Sequence, residues 1–178
     1  MRNDTHLPPI TELSAIFYDC DGVLTDNRVL VTEKGEEAVF FNRSDGLAIS
    51  AFRNKYHINQ VIISTETNNV VEQRAQKLRI PAIHGLDELS GSVRDKGTIL
   101  KQYAKENLID LSNSIFIGND LNDIPALDLV GYPDCPADAY PVILDLIREK
   151  IKETGQGWIA SSPGGFGVVR ELLTYYNK

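Results

Sequence analysis

The chain has 178 residues, 42% hydrophobic and 24% charged, with a formal net charge of −7, which fits one domain able to bury a substantial core. Acidic and basic residues are interspersed, which argues against a nucleic-acid surface because phosphate backbones need clustered Lys and Arg; no apolar run is long enough to span a bilayer, and the N-terminus lacks a secretory stretch, so no membrane contact and a cytoplasmic location are expected. Two cysteines, Cys20 and Cys135, supply neither a disulfide framework nor a zinc cluster.

Residues 1–12 are polar, contain Pro8-Pro9 and read as a loose lead-in to a single domain over 13–178. Leu13–Tyr18 is short, apolar and aromatic-rich, as a buried strand is, and it runs directly into Asp19-Cys20-Asp21-Gly22. Arg28–Thr32 and Glu37–Phe41 flank Glu33-Lys34-Gly35-Glu36, which predicts a β-hairpin turning near Lys34-Gly35. Helical spacing follows over Leu47–Phe52. A second strand, Gln60–Ile63, ends at Ser64; a helix is predicted over Val70–Leu78 and a third strand over Ile80–Ile83. Thr98–Tyr103 reads as a helix, Ser114–Ile117 as a fourth strand ending at Gly118-Asn119-Asp120, and Val130–Tyr132 as a short fifth. Ile124–Leu129, Val142–Ile151 and Val168–Tyr176 carry helical patterns. This alternation predicts an α/β, Rossmann-like parallel sheet with helices on both faces and a β-hairpin insertion. Such sheets bind ligands beyond the carboxyl ends of their strands, where the polar clusters after strands one, two and four would meet.

Those clusters suit phosphate-ester hydrolysis. Asp19 could attack phosphorus as a nucleophile, and Asp21, two residues on, could protonate the leaving oxygen and then activate water. Two carboxylates facing a phosphate repel it, so a Mg²⁺ ion is expected. Ser64 could hold a phosphoryl oxygen, although a strand-end Ser more often caps a helix. Lys96 could neutralise the phosphate and hold Asp19, although an isolated lysine is more often a solvated surface group. Gly118-Asn119-Asp120-Leu121-Asn122-Asp123 gathers oxygen donors of the kind a hard cation selects. Cysteine-dependent phosphatase chemistry is excluded, because the position six after Cys20 is Asp26 and six after Cys135 is Pro141. His6, His57 and His84 lack local partners and read as surface or packing residues.

In this order, the Asp-x-Asp-Gly run, the strand-terminal Ser64, Lys96 and the acidic run after Gly118 resemble the haloacid dehalogenase superfamily, over roughly Leu13 to Leu173. Asp19–Asp26, the hairpin, Asp45-Gly46, Asp95-Lys96, Ala137-Asp138-Ala139 and Gly164–Glu171 are similar to its small capless branch, which acts on 3-deoxy-octulosonate 8-phosphate and nonulosonate 9-phosphates. The resemblance implies a Mg²⁺-dependent phosphatase of a small sugar-acid phosphate, working through an aspartyl-phosphate. Asp19 would be the nucleophile, Asp21 the acid/base, and Ser64 and Lys96 the phosphate binders. The metal set would be Asp19, Asp21, Asn119, Asp120 and Asp123, and the substrate contacts Asp45, Glu66 and Phe166. Asn119 stands where active members usually have Asp. Ser44 and Phe166 stand where the octulosonate enzymes carry Arg, while Glu66 is more like the nonulosonate branch. The same branch implies a homotetramer in which a neighbour's hairpin and C-terminal tail complete the site. It also leaves open a weakly active relative serving as an oligomerisation or regulatory module in sugar activation.

Overall fold

A computed structural model describes residues 7–67, 69–84 and 95–177. In chain order, β1 (Ala15–Tyr18) leads to a hairpin of β2 (Leu30–Val31) and β3 (Glu37–Ala38), then to α1 (Arg43–Tyr56), β4 (Asn59–Ile63), α2 (Val70–Leu78) and β5 (Ala82–Ile83). The second half runs α3 (Lys96–Glu106), β6 (Ser114–Ile117), α4 (Ile124–Leu127), β7 (Tyr132–Cys135), α5 (Pro141–Thr154), β8 (Trp158–Ile159) and α6 (Val168–Tyr176). The main sheet has the order β5-β4-β1-β6-β7-β8, and every pairing within it is parallel. The fold is therefore the predicted Rossmann-like α/β arrangement.

Successive strand residues point to opposite faces, and each face of this sheet has its own core. Ile16, Tyr18, Ile62, Ile115 and Ile117 pack against α1, α2 and α6; Phe17, Val61, Ile63 and Phe116 pack against α3, α4 and α5. Strands buried on both faces explain why they read as unbroken apolar runs. The helices start where side chains can accept the free N–H groups: Asn42 caps α1 through Ser44 N at 2.9 Å, and Asp95 caps α3 through Thr98 N at 2.8 Å. The second cap fixes Lys96 as the first residue of α3. None of the helices among the described residues is long and apolar enough to cross a membrane.

Several boundaries differ from the sequence expectation. The fifth strand runs Tyr132–Cys135 rather than Val130–Tyr132, because Gly131 is held in a turn, its N–H bonded to the Leu111 carbonyl at 2.9 Å. Pro133 and Asp134 disguise the strand, since both are poor strand formers. The two-residue β8 is too short to show any period. Only Leu30–Val31 and Glu37–Ala38 pair in the hairpin, with a further bridge between Thr25 and Phe41. Its turn falls at the predicted place, where Gly35 takes φ 78° and donates to the Thr32 carbonyl. In the lead-in, Leu7 is buried, Ile10 is half-buried against the same core and the Pro8 carbonyl accepts from the Tyr176 hydroxyl at 3.1 Å, while Pro9, Thr11 and Glu12 are exposed. Residues 1–6, His6 among them, lie outside the described residues.

Candidate active site

β1, β4 and β6 lie side by side and parallel, so Asp19, Ser64 and the run after Gly118 leave the sheet along one edge. There the chain after Asp19 makes a wide turn, Cys20–Leu24, closed by Thr25 N donating to the Cys20 carbonyl at 3.0 Å. Gly22 in that turn has φ 82°, and a β-carbon there would overlap the Asn119 side chain. Only glycine satisfies both demands. The turn brings Asp19, Asp21, Ser64, Thr65, Glu66, Asn119, Asp120 and Asn27 around a cleft of about 150 Å³.

Beneath the cleft lies a buried ion cluster. Lys96 Nζ sits 2.7 Å from Asp19 Oδ1 and 2.6 Å from Asp123 Oδ1, with 1% of the lysine side chain exposed. Asp19 Oδ1 also accepts from Cys20 N at 2.7 Å, which fixes the rotation of its carboxyl. Burial and then the Asp123 carboxylate push the Asp19 carboxyl well above the ordinary aspartate range, and Lys96 offsets part of that. Burial disfavours the lysine charge, but Asp19 and Asp123 outweigh it and raise Lys96 above the ordinary lysine range. Lys96 is therefore charged, and its single positive charge is shared between two carboxylates, Asp19 and Asp123. A nucleophilic Asp19 needs further positive charge nearby.

The oxygens available for a cation come from unlike groups. No three His, Cys, Asp or Glu side chains converge as a metal-binding set among the described residues. What converges instead is Asp19 Oδ2, the Asp21 backbone carbonyl and the Asn119 amide. One end of that amide lies 2.8 Å from the Asp21 carbonyl oxygen and 3.1 Å from Asp19 Oδ2. With its nitrogen there, the amide donates to both; with its oxygen there, three oxygens face one another. That is the donor set a hard cation such as Mg²⁺ takes, and it would relieve the raised Asp19. The residues present fit the ion.

Two expected metal ligands have other partners. Asp123 is fully buried, and both its oxygens are engaged: Oδ1 by Lys96, Oδ2 by Asn119 N at 2.7 Å and Asp120 N at 3.1 Å. It shapes the Asn119-Asp120 loop rather than facing the cleft, which corrects its assignment as a ligand. Asp120 reaches the cleft wall, but its side chain caps Leu121 N at 2.7 Å. Asp21 contributes its carbonyl, while its carboxylate Oδ1 accepts from Thr25 Oγ1 at 3.0 Å. Thr25 was given no role from sequence. It is fully buried and orients Asp21, and its signal was a hydroxyl four residues beyond the acid inside a tight turn.

The expected substrate contacts divide. Glu66 lines the cleft and also an adjoining pocket floored by Cys20, Val39, Val70 and Val71, which opens beside Asp21. Asp45 is buried away from both, which corrects its assignment. Its Oδ1 accepts from Arg170 N at 2.9 Å at the start of α6, a capping role. Burial outweighs these backbone hydrogen bonds and pushes its carboxyl up to about 6. Phe166, 60% exposed, lines a separate open depression of about 500 Å³ with Phe40 and Arg43, not the carboxylate cleft of its own chain. Ser64 is almost fully buried at the cleft wall, its Oγ accepting from Glu66 N at 3.2 Å with its own proton left to donate.

Residues 9–154 match the family described as haloacid dehalogenase-like hydrolase. The chain belongs to that family. Among solved structures it is similar to a HAD family hydrolase from Streptomyces avermitilis, with a TM-score of 0.82, 38% identity, and 96% of this chain and 94% of that one covered. It is also similar to 3-deoxy-D-manno-octulosonate 8-phosphate phosphatase from Moraxella catarrhalis in complex with magnesium ion, phosphate ion and KDO (TM-score 0.78, 27% identity, coverage 94% and 87%). Among curated proteins it is 28% identical over 169 residues to 3-deoxy-D-manno-octulosonate 8-phosphate phosphatase KdsC of Salmonella typhi, covering 94% of this chain and 81% of that protein. Family and relatives place the chain among the phosphoric monoester hydrolases.

Proposed function

We propose that this hydrolase is a Mg²⁺-dependent phosphatase of a small sugar-acid phosphate, of the 3-deoxy-octulosonate 8-phosphate or nonulosonate 9-phosphate type, acting through an aspartyl-phosphate on Asp19. The observation that carries this reading is the buried Asp19–Lys96–Asp123 cluster opening through Asp19 into a cleft that also holds Asp21 and Ser64. A Mg²⁺ ion held by Asp19, the Asp21 carbonyl and Asn119 would offset negative charge between the carboxylates and the phosphoryl oxygens.

The chain's own residues divide the remaining work. Cys20 N and Lys96 hold the Asp19 carboxylate in one orientation, and the hydroxyl of Ser64 donates to a phosphoryl oxygen. Asp19 attacks phosphorus as the bond to the ester oxygen breaks, and Asp21 gives that oxygen its proton. Water then enters, Asp21 takes one of its protons, and the resulting attack on phosphorus breaks the bond to Asp19 and frees phosphate. Thr25 keeps Asp21 directed at the leaving oxygen throughout. The leaving alcohol then lies in the adjoining pocket, where the valines offer an apolar wall and Glu66 and Asn27 accept or donate to hydroxyls.

The hairpin supports a tetramer. Val29, Leu30, Val31 and Phe40 are each more than half exposed, and a cluster of such residues marks a protein contact. A neighbour's hairpin or tail laid across the cleft would supply the cover that a cap domain supplies elsewhere. Hydrolysis of p-nitrophenyl phosphate with and without Mg²⁺, followed by a panel of sugar-acid phosphates, tests the reading. Absence of any Mg²⁺-stimulated release of phosphate would overturn it.

A further inference from the structure

The two halves of the cleft are tied together by a closed ring of contacts outside it. From Asn119, the backbone carbonyl accepts from Tyr140 N at 2.8 Å. Two residues earlier, Asp138 Oδ1 accepts from Gly164 N at 2.8 Å, and Ala137 N donates to the Ser162 carbonyl at 3.1 Å. The Gly164-Gly165 backbone then presses on the turn that carries Asp21. A β-carbon on Gly164 would overlap the Gly22 carbonyl, and Gly165 N donates to the Val23 carbonyl at 2.9 Å. Gly22 in turn touches the Asn119 side chain, which closes the ring.

Most links in this ring are backbone to backbone and cannot be altered by a side chain. Apart from the Asn119 side chain, which lies in the cleft, Asp138 is the exception: its carboxylate makes a charge-assisted hydrogen bond to an amide, stronger than a neutral one. It is exposed, lies outside the residues that line the cleft, and its bond to Gly164 spans 26 residues. The glycine loop has a second anchor on its far side, where the two carboxylate oxygens of Glu171 accept from Ser161 N at 2.9 Å and Ser162 N at 2.8 Å. Glu171 holds the start of the loop, whereas Asp138 holds the glycine that meets Gly22.

We infer that Asp138 is a positioning residue for the reaction proposed above: by holding Gly164 against Gly22, it sets the distance between the Asp21 carbonyl and Asn119. A displacement of about 1 Å at a reacting centre costs on the order of 100-fold in rate, and a partial relaxation of this ring costs less. The test compares the wild-type chain with Asp138→Ala and Asp138→Asn, whose amide oxygen can still accept from Gly164 N. Three quantities are read: Mg²⁺ affinity by titration calorimetry without substrate, kcat and KM on p-nitrophenyl phosphate, and the midpoint of thermal unfolding in EDTA. Asp138→Ala should weaken Mg²⁺ binding about tenfold and lower kcat about tenfold, with KM within about twofold. Asp138→Asn should recover most of both. The role is refuted if Asp138→Ala keeps wild-type Mg²⁺ affinity and kcat while only its unfolding midpoint falls, or if Asp138→Asn is as impaired as Asp138→Ala. A wild type that binds Mg²⁺ but hydrolyses no ester sinks the functional reading alone, because the three Mg²⁺ affinities still decide the role of Asp138.

Discussion

Asp134 is a carboxylic acid in the middle of β7 with no exposure, and neither side-chain oxygen has a hydrogen-bond partner among the described residues. Burial drives its pKa well above the ordinary aspartate value, outweighing the nearby Trp158 backbone. The nearby Tyr176 hydroxyl of α6 is likewise pushed up, by burial first and then by Asp134. The folded chain therefore keeps a proton on Asp134 that the unfolded chain releases above a pH of about 4. A raised folded value means full stability below that pH and a progressive loss as pH rises toward the folded pKa. The loss has a slope of about 1.4 kcal/mol per pH unit for one retained proton. Asp134→Asn removes the proton and leaves the shape. Urea unfolding of wild type and variant at pH 5 and pH 6 should show the wild type losing more stability than the variant over that step, by up to about 1.4 kcal/mol. Asp134→Val, which suits a buried strand and removes the orphaned oxygens, should be more stable than wild type at pH 7 by about 1–3 kcal/mol. Parallel pH profiles for wild type and Asp134→Asn would refute the reasoning, since they require a carboxylate that is already ionised when folded.

Other expectations follow from the ion cluster, the metal set and the hairpin. Lys96→Met leaves Asp19 and Asp123 facing each other without a cation, so unfolding free energy should fall by about 3–5 kcal/mol and hydrolysis should be lost; urea titration and a phosphate-release assay check both. EDTA should stop hydrolysis and Mg²⁺ restore it, with Ca²⁺ a poor substitute because it takes more ligands at longer distances. Asn119→Asp, which adds charge to the same three-oxygen set, should preserve or tighten Mg²⁺ binding in calorimetry. Light scattering should give about four times the 19.8 kDa of one chain; a monomer with full activity would remove the shared site.

The sheet was legible because its strands are apolar on both faces, and the cleft because Asp19, Ser64 and Asn119 each follow such a strand. Sequence spacing could not show which way a side chain turns within a motif. Asp123 and Asp120 both look like metal ligands in a run of oxygen donors, yet Asp123 faces Lys96 and two backbone amides. The family resemblance implied Asp45 as a substrate contact, but α1 carries it to the start of α6. Lys96 read as a weak candidate by itself; only the placement of α3 buries it between two carboxylates. β7 was misplaced because Pro133 and Asp134 break the apolar pattern that marks the other central strands. The link from Asp138 to Gly164 had no local signal at all.

The central claim is that Asp19 becomes phosphorylated during turnover. Acid quenching of the enzyme during steady hydrolysis of p-nitrophenyl phosphate, followed by peptide mass spectrometry, tests it directly. The account predicts one phosphoryl group on the peptide carrying Asp19, absent from Asp19→Asn, and activity of that variant reduced by more than about 100-fold. Label on any other residue, or an Asp19→Asn enzyme within about tenfold of wild type, would contradict it.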